Sequence, residues 1–320
     1  LKKRTKKLLD LGAAPVEPSG ANDQKFFASF FQKRRFFLPN DTGAALLLAL
    51  WAMLAMATLV AGIRVLGLRD ATLAQTRLDQ AQLTACADAM INATILRLLD
   101  LGAPGHPPVD GTPTKATFAG CTGQVSVQDE SGKIDLNQAP AALLTALFAS
   151  QNLDIDDAQS LADKILDWRE PGAGRRLNGA KADDYRRAGI AYAPRGGRMQ
   201  SVDELRLVMG MTPPVFDALA PALTVVSQNA WPDQHVAPPI VLRALAGMDE
   251  ARIESLETAR QARLTTAPDG TITDPAAPPA LGRAFTIQAR IEGRNATIQR
   301  HAIIRLTGIP SAPLVIYAWQ

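Results

Sequence analysis

The longest uninterrupted apolar stretch is Ala44–Ile63, twenty residues without a charge, set between Lys33-Arg34-Arg35 and Arg64. As an α-helix it would extend about 30 Å, the thickness of a bilayer's hydrocarbon core, so the pattern predicts a membrane span. From Arg64 to Leu101 there is no proline. Leu83, Ala87, Met90 or Ile91, Thr94 and Leu98 recur at helical spacing there, with Asp70, Gln75, Arg77, Asp79, Gln80, Gln82 and Asp88 on other faces. The span is therefore expected to continue into one helix of about 55 residues, its C-terminal half packed against something and capped near Gly102.

Beyond that helix the period changes. Thr117–Ala119 and Gln124–Asp129 read as strands, and Lys133–Leu136 as extended chain after a Ser131-Gly132 turn. Short helices are predicted at Ala141–Ala149, Asp156–Arg169, Ala182–Ala188, Ser201–Val208 and Pro214–Leu219, with a further one at Asp249–Ala262. A Pro-rich loop, Pro268–Pro279, precedes strands at Phe285–Ile291, Ala296–Leu306 and Leu314–Trp319. Long helix, strands, helices and strands again describe an α+β protein interrupted by an all-α insertion. The corresponding limits are a leader at 1–43, a span at 44–63, a first sheet part at 64–136, an inserted helical domain at 137–280 and C-terminal strands at 281–320.

Charge orients the span. Residues 1–43 hold nine Lys/Arg against four acids, +5, and the other 277 hold 25 basic against 27 acidic groups, −2. Positive charge before the span places the N-terminus in the cytoplasm and the domain beyond Arg64 outside it. That near-neutral domain lacks the basic footprint of a polyanion binder. The leader also concentrates six of the ten phenylalanines, at 26, 27, 30, 31, 36 and 37, a composition suited to an anionic membrane surface. Arg34-Arg35-Phe36-Phe37-Leu38 fits a twin-arginine export pattern, although the same residues read more simply as positive-inside charges. The apolar run exceeds the core of an ordinary secretory signal, and helix continues past it. Cleavage is expected before it, between Gly43 and Ala44, as in pilin-like proteins. Because the sequence opens on Leu1, the length of the leader is left open.

Cys86 and Cys121 are the two cysteines. They read either as two unpaired small apolar residues or as a disulfide closing a Pro/Gly-rich loop, and an extracytoplasmic compartment favours the disulfide.

Asp129-Glu130-Ser131-Gly132-Lys133-Ile134-Asp135-Leu136-Asn137-Gln138-Ala139-Pro140, followed by Leu143-Leu144, resembles the signature of the K-type minor pseudopilin (general secretion pathway protein K) of type II secretion. Further resemblances follow in order at Asp167-Trp168-Arg169, Asp184-Tyr185, Tyr192-Ala193-Pro194, Ser201–Met211, Leu219–Val225 and Tyr317-Ala318-Trp319. Gly43–Trp51 is similar to the family's opening. The resemblance implies a pilin-like fold, with the N-terminal helix packed on an antiparallel sheet and a helix-hairpin-helix or SAM-like module inserted between strands. It implies a minor pseudopilin at the tip of the pseudopilus, single-pass in the inner membrane with a periplasmic domain. Implied partners are I- and J-type minor pseudopilins, other pseudopilins and the inner-membrane secretion platform. Prepilin peptidase is implied to cut after Gly43 and methylate Ala44. Pilin-like subunits usually carry Glu at the fifth mature position, where it pairs with a neighbour's amine; here that position is Leu48, as in the K family.

The same resemblance implies calcium in an acidic loop, and no other cofactor. Asp167, Glu170, Asp183 and Asp184 are the remaining candidate ligands. Gly172 and Lys181 stand where the family has acids, and Arg175-Arg176 lie close by, so the charge balance argues against the full family-type site. Catalysis has no support: His106, His235 and His301 form no triad or metal spacing, and no enzyme is expected. The alternative function is a membrane-anchored helix-hairpin-helix protein binding DNA in an uptake system. Its hairpin, Ser150–Asp157, lacks the paired glycines that let backbone amides approach phosphate and carries three acids instead, so no nucleic-acid partner is expected.

Overall fold

The computed structural model describes residues 42–100, 106–266, 271–293 and 296–320, and their side chains apart from those of 42–44 and 65–72. The leader features at Lys25–Leu38 and the Gly102 cap lie outside the described residues. The chain divides into two compact units, Leu1–Thr72 and Leu73–Gln320.

Helix α1 spans Thr42–Leu99, so Gly43 and Ala44 both carry helical backbone. In the first unit, Ala45–Arg64 is long and apolar enough to cross a membrane, and none of it is buried by the rest of the chain. Leu46, Leu48, Trp51 and Ile63 are all more than 60 % exposed.

In the second unit, Ala87, Met90, Ile91, Ile95 and Leu98 of α1 are buried, with Leu83 partly so. That stripe follows the three-to-four-residue spacing read from the sequence. It packs on a five-stranded antiparallel sheet of order β1-β2-β7-β8-β9. The strands are β1 (Thr114–Phe118), β2 (Cys121–Asp129), β7 (Ala284–Glu292), β8 (Thr297–Ile309) and β9 (Ala312–Trp319). Alternation sets which side chains face the helix: Val125 and Val127 of β2, Phe285, Ile287, Ala289 and Ile291 of β7, and Ala302, Ile304 and Leu306 of β8 are all buried. Asp88, beside that stripe, ties α1 to the same sheet, accepting from Trp319 Nε1 of β9 at 2.9 Å and pairing with Arg300 Nε of β8 at 3.1 Å.

Neighbouring strands β2 and β7 are separated by about half the chain. Between them lie β3 (Ile134–Asp135), α2 (Ala141–Ala149), α3 (Ile155–Arg169), α4 (Ala182–Arg187), α5 (Pro213–Leu219), β4 (Leu223–Thr224), α6 (Pro239–Leu242), α7 (Glu250–Arg263), β5 (Thr265–Thr266) and β6 (Ile272–Thr273). Helices α2 to α7 share a second hydrophobic core containing Leu144, Phe148, Ile165, Trp168, Tyr185, Leu205 and Leu242. The mixture of helix and antiparallel sheet expected from the sequence is therefore present. The helix expected at Ser201–Val208 is instead a 3-10 helix at Val202–Leu207, in which Glu204 turns inward to accept from Gln200 N. Short range conceals two further features. Strands β3 and β4 pair in parallel, closing the helical core across nearly ninety residues, while Val236 and Ala280 belong to the sheet-side core.

Cys86 of α1 and Cys121 at the start of β2 are joined by a disulfide, with Cα atoms 5.7 Å apart and a sequence separation of 35. Closing a loop of that size stabilises by about 3–4 kcal/mol in the chain-entropy account. Chemical denaturation of the Cys86→Ala/Cys121→Ala double variant is expected to register a loss of that order, with no loss contradicting the cross-link.

Candidate functional site

The signature segment Asp129–Pro140 lies where the chain leaves the sheet for the helical core, and nearly all its polar groups are spent on internal bonds. Asp129 ends β2 and caps a 3-10 turn, its Oδ1 accepting from Ser131 N at 2.8 Å. Its Oδ2 faces Arg283 Nε at 2.6 Å as an ion pair rather than an aligned hydrogen bond. Burial pushes the Asp129 carboxyl above its ordinary value, with Ser131 and Arg283 only partly offsetting it. Glu130, also buried, accepts from Lys133 Nζ at 2.7 Å and from Thr286 Oγ1 of β7 at 2.6 Å. At Gly132 an added Cβ would lie 2.4 Å from the Val236 carbonyl oxygen, so only glycine permits that approach.

The second half of the segment faces the helical core. Asp135 Oδ1 accepts from Asn137 N at 2.8 Å, and its Oδ2 from Gln228 N at 2.8 Å and Ser227 Oγ at 3.1 Å. Asn137 donates to the Met199 carbonyl at 3.0 Å and accepts from Met199 N at 2.7 Å. Arg169, at the end of α3, donates to the carbonyls of Leu136 and Ala139 at 2.6 and 2.9 Å. The segment is a clasp: one half ties the helical core to β7, the other closes the core around itself. Its pairings with Arg283, Thr286, Met199 and Arg169 were invisible in the sequence, spanning 30 to 156 residues.

Elsewhere in the core, Glu204 accepts from Gln200 N at 2.7 Å, Arg195 Nε at 2.9 Å and Trp168 Nε1 at 3.3 Å. Burial works against its charge, but these three donors outweigh it and hold the carboxyl below its ordinary value.

Of the four candidate calcium ligands, Asp167, Glu170 and Asp183 line one cleft after α3 together with Gly172 and Lys181, and Asp184 is not part of that lining. Asp167 is fully buried, pairing with Arg176 Nη1 at 3.1 Å and accepting from Arg176 N at 3.2 Å. Glu170 lies 2.8 Å from Arg176 Nη2. Asp184 accepts from Lys181 N at 2.9 Å and pairs with Arg187 and Arg175 at 2.6 and 3.6 Å. The Lys181 amide, opposed by burial and helped by Arg175 and Arg187, holds the Asp184 carboxyl below its ordinary value. Asp183, at the rim of that cleft, is exposed and paired with Arg186 at 3.1 Å. Among the described residues no three His, Cys, Asp or Glu side chains converge as metal ligands.

The α2–α3 hairpin turns at Asn152, whose φ of 63° takes the left-handed conformation that glycine would otherwise supply. Asp154 caps α3, accepting from Asp156 N at 3.0 Å, and Asp154, Asp156 and Asp157 are all exposed at the tip. His106 bridges to Asp274, His301 lies in β8 and His235 sits in a loop.

Residues 125–228 match the family model described as Type II secretion system (T2SS), protein K. That range begins in β2 and contains the clasp, the acidic loop and most of the helical core. The fold is similar to that of a chain in the crystal structure of the GspK-GspI-GspJ complex from the enterotoxigenic Escherichia coli Type 2 Secretion System, with a TM-score of 0.50 and 15 % identity, covering 78 % of this chain and 98 % of that one. No curated protein sequence matches the chain.

Two measurements test the site. Glu130→Ala leaves Lys133 half-buried without its anion and is expected to cost about 3–5 kcal/mol in chemical denaturation, far more than a surface pair would. Because the Glu204 carboxyl is depressed on folding, its stabilisation is present above its ordinary pKa of 4.5 and lost as pH falls through the lower folded value. Glu204→Gln is therefore expected to flatten the loss of stability on acidification in that window, an unchanged profile contradicting the assignment.

Proposed function

We propose that this chain, a K-type minor pseudopilin of a type II secretion system, works at the tip of the pseudopilus and supports protein export across the outer membrane. The observation that carries the reading is the match over 125–228, in which the signature residues serve architecture rather than chemistry. A buried stripe on a long helix, an antiparallel sheet and a helical module threaded between adjacent strands fit a pilin-like fold with a helix-hairpin-helix or SAM-like insertion. The module's proposed limits are 137–280, with pilin-like parts at 64–136 and 281–320.

Ala44–Ile63 anchors the chain once in the inner membrane, with a cytoplasmic leader and a periplasmic domain in which the Cys86–Cys121 bond forms. Prepilin peptidase cuts after Gly43 and Ala44 becomes the methylated N-terminus. Leu48, fifth from that end, offers no carboxylate to a neighbouring amine. An unpaired acid in hydrocarbon is costly, so its absence suits a subunit with none above it. The partners are I- and J-type minor pseudopilins, in keeping with the complex whose chain this fold resembles, together with other pseudopilins and the secretion platform. The role is structural, without enzymatic activity.

The DNA-binding alternative is disfavoured by the exposed Asp154, Asp156 and Asp157 at the hairpin tip, which would repel phosphate. Mass analysis of the mature protein decides between the two: a methylated Ala44 start is expected, whereas a retained leader with salt-sensitive DNA binding would support the alternative.

A further inference from the structure

The calcium that the family resemblance implies does not fit the loop as this chain builds it. Between α3 and α4 the chain folds back so that the Lys181 side chain, only 13 % exposed, points at main-chain oxygens of the preceding helix end. Its Nζ donates to the carbonyls of Asp167 at 2.7 Å and Glu170 at 2.9 Å, and lies 4.0 Å from Asp167 Oδ1. Two carbonyls and a buried carboxylate are the oxygen donors that a hard cation such as calcium takes up. Here they surround an ammonium. The neighbouring carboxylate oxygens are taken as well, since Arg176 spans Asp167 and Glu170. Gly179 closes the space beside Asp167: a Cβ there would lie 1.9 Å from Oδ2.

We infer that Lys181 and Arg176 serve as the built-in counter-cations of this loop, so that its order and the stability of the helical core are independent of calcium. Electrostatics gives the reason. The buried Asp167 needs a cation within a few ångströms, because an unpaired carboxylate at full burial is strongly unfavourable. A tethered ammonium and guanidinium supply that charge at fixed geometry, without dependence on the ion concentration outside. A divalent ion would have to displace Nζ from both carbonyls and meet two resident positive charges at close range. The inference concerns the loop alone and stands whether or not the chain acts at a pseudopilus tip.

The test is hydrogen exchange by mass spectrometry on the full chain in detergent, following peptides across 167–187 in calcium chloride and in EGTA. Protection is expected to be equal in both conditions for the native chain, and equilibrium dialysis with calcium alone is expected to give no saturable binding. Lys181→Met is expected to raise exchange across the loop about tenfold or more in both conditions. Calcium-dependent protection of the native chain, saturable calcium uptake, or an unchanged loop in Lys181→Met would each overturn the inference. Arg176→Gln gives a second reading: it leaves the Lys181 bonds intact and is expected to loosen the loop less than Lys181→Met.

Discussion

The structure turns on a pair of buried carboxylates, Asp129 and Glu130, at the point where the chain leaves the sheet. The chain leaves the sheet for a helical module of some 150 residues and returns beside itself, and although Val236 and Ala280 of that stretch join the sheet-side core, the residues at the crossing itself are polar. Asp129 with Arg283, and Glu130 with Lys133 and Thr286, supply the connection instead. Both ends of the excursion are thereby held: Glu130 belongs to the outgoing chain, Arg283 and Thr286 to the returning strand. Removing either carboxylate would leave its partner, Arg283 at 23 % or Lys133 at 12 % exposure, without its counter-ion.

This accounts for the polar residues that cluster in Asp129–Asn137: they join distant parts of the fold. Carboxylates and an amide at close spacing resemble catalytic equipment until their partners are known. Each here is engaged by a backbone or side-chain group of the fold, Asp129 Oδ2 through its ion pair with Arg283 alone. The acidic loop repeats the theme on a smaller scale, with Asp167 held by Arg176 and Lys181.

The local grammar of the chain was largely readable. The buried stripe at 87, 90, 91 and 98 followed from helical spacing, and α2 and the alternating strands followed from their periods. The apolar run at 45–64 followed from length and charge alone. What pattern could not supply was any contact whose partner lies far along the chain. No periodicity marks Arg283 as the counter-ion of Asp129, Met199 as the backbone partner of Asn137, or Leu223 as the strand neighbour of Ile134. In the acidic loop, charge counting set Lys181 against a divalent ion, but could not show that its ammonium bonds carbonyls of the chain it closes. The 3-10 geometry at Val202–Leu207 likewise depended on Glu204 being drawn inward to Gln200 and Trp168.

If the clasp makes the two cores one cooperative unit, neither can open alone. Native-state hydrogen exchange of the full chain across a urea series measures this directly. The slowest amides of β7 and of α3 should converge on the same opening free energy with the same urea dependence. Distinct plateaus, with α3 opening while β7 stays closed, would contradict the account.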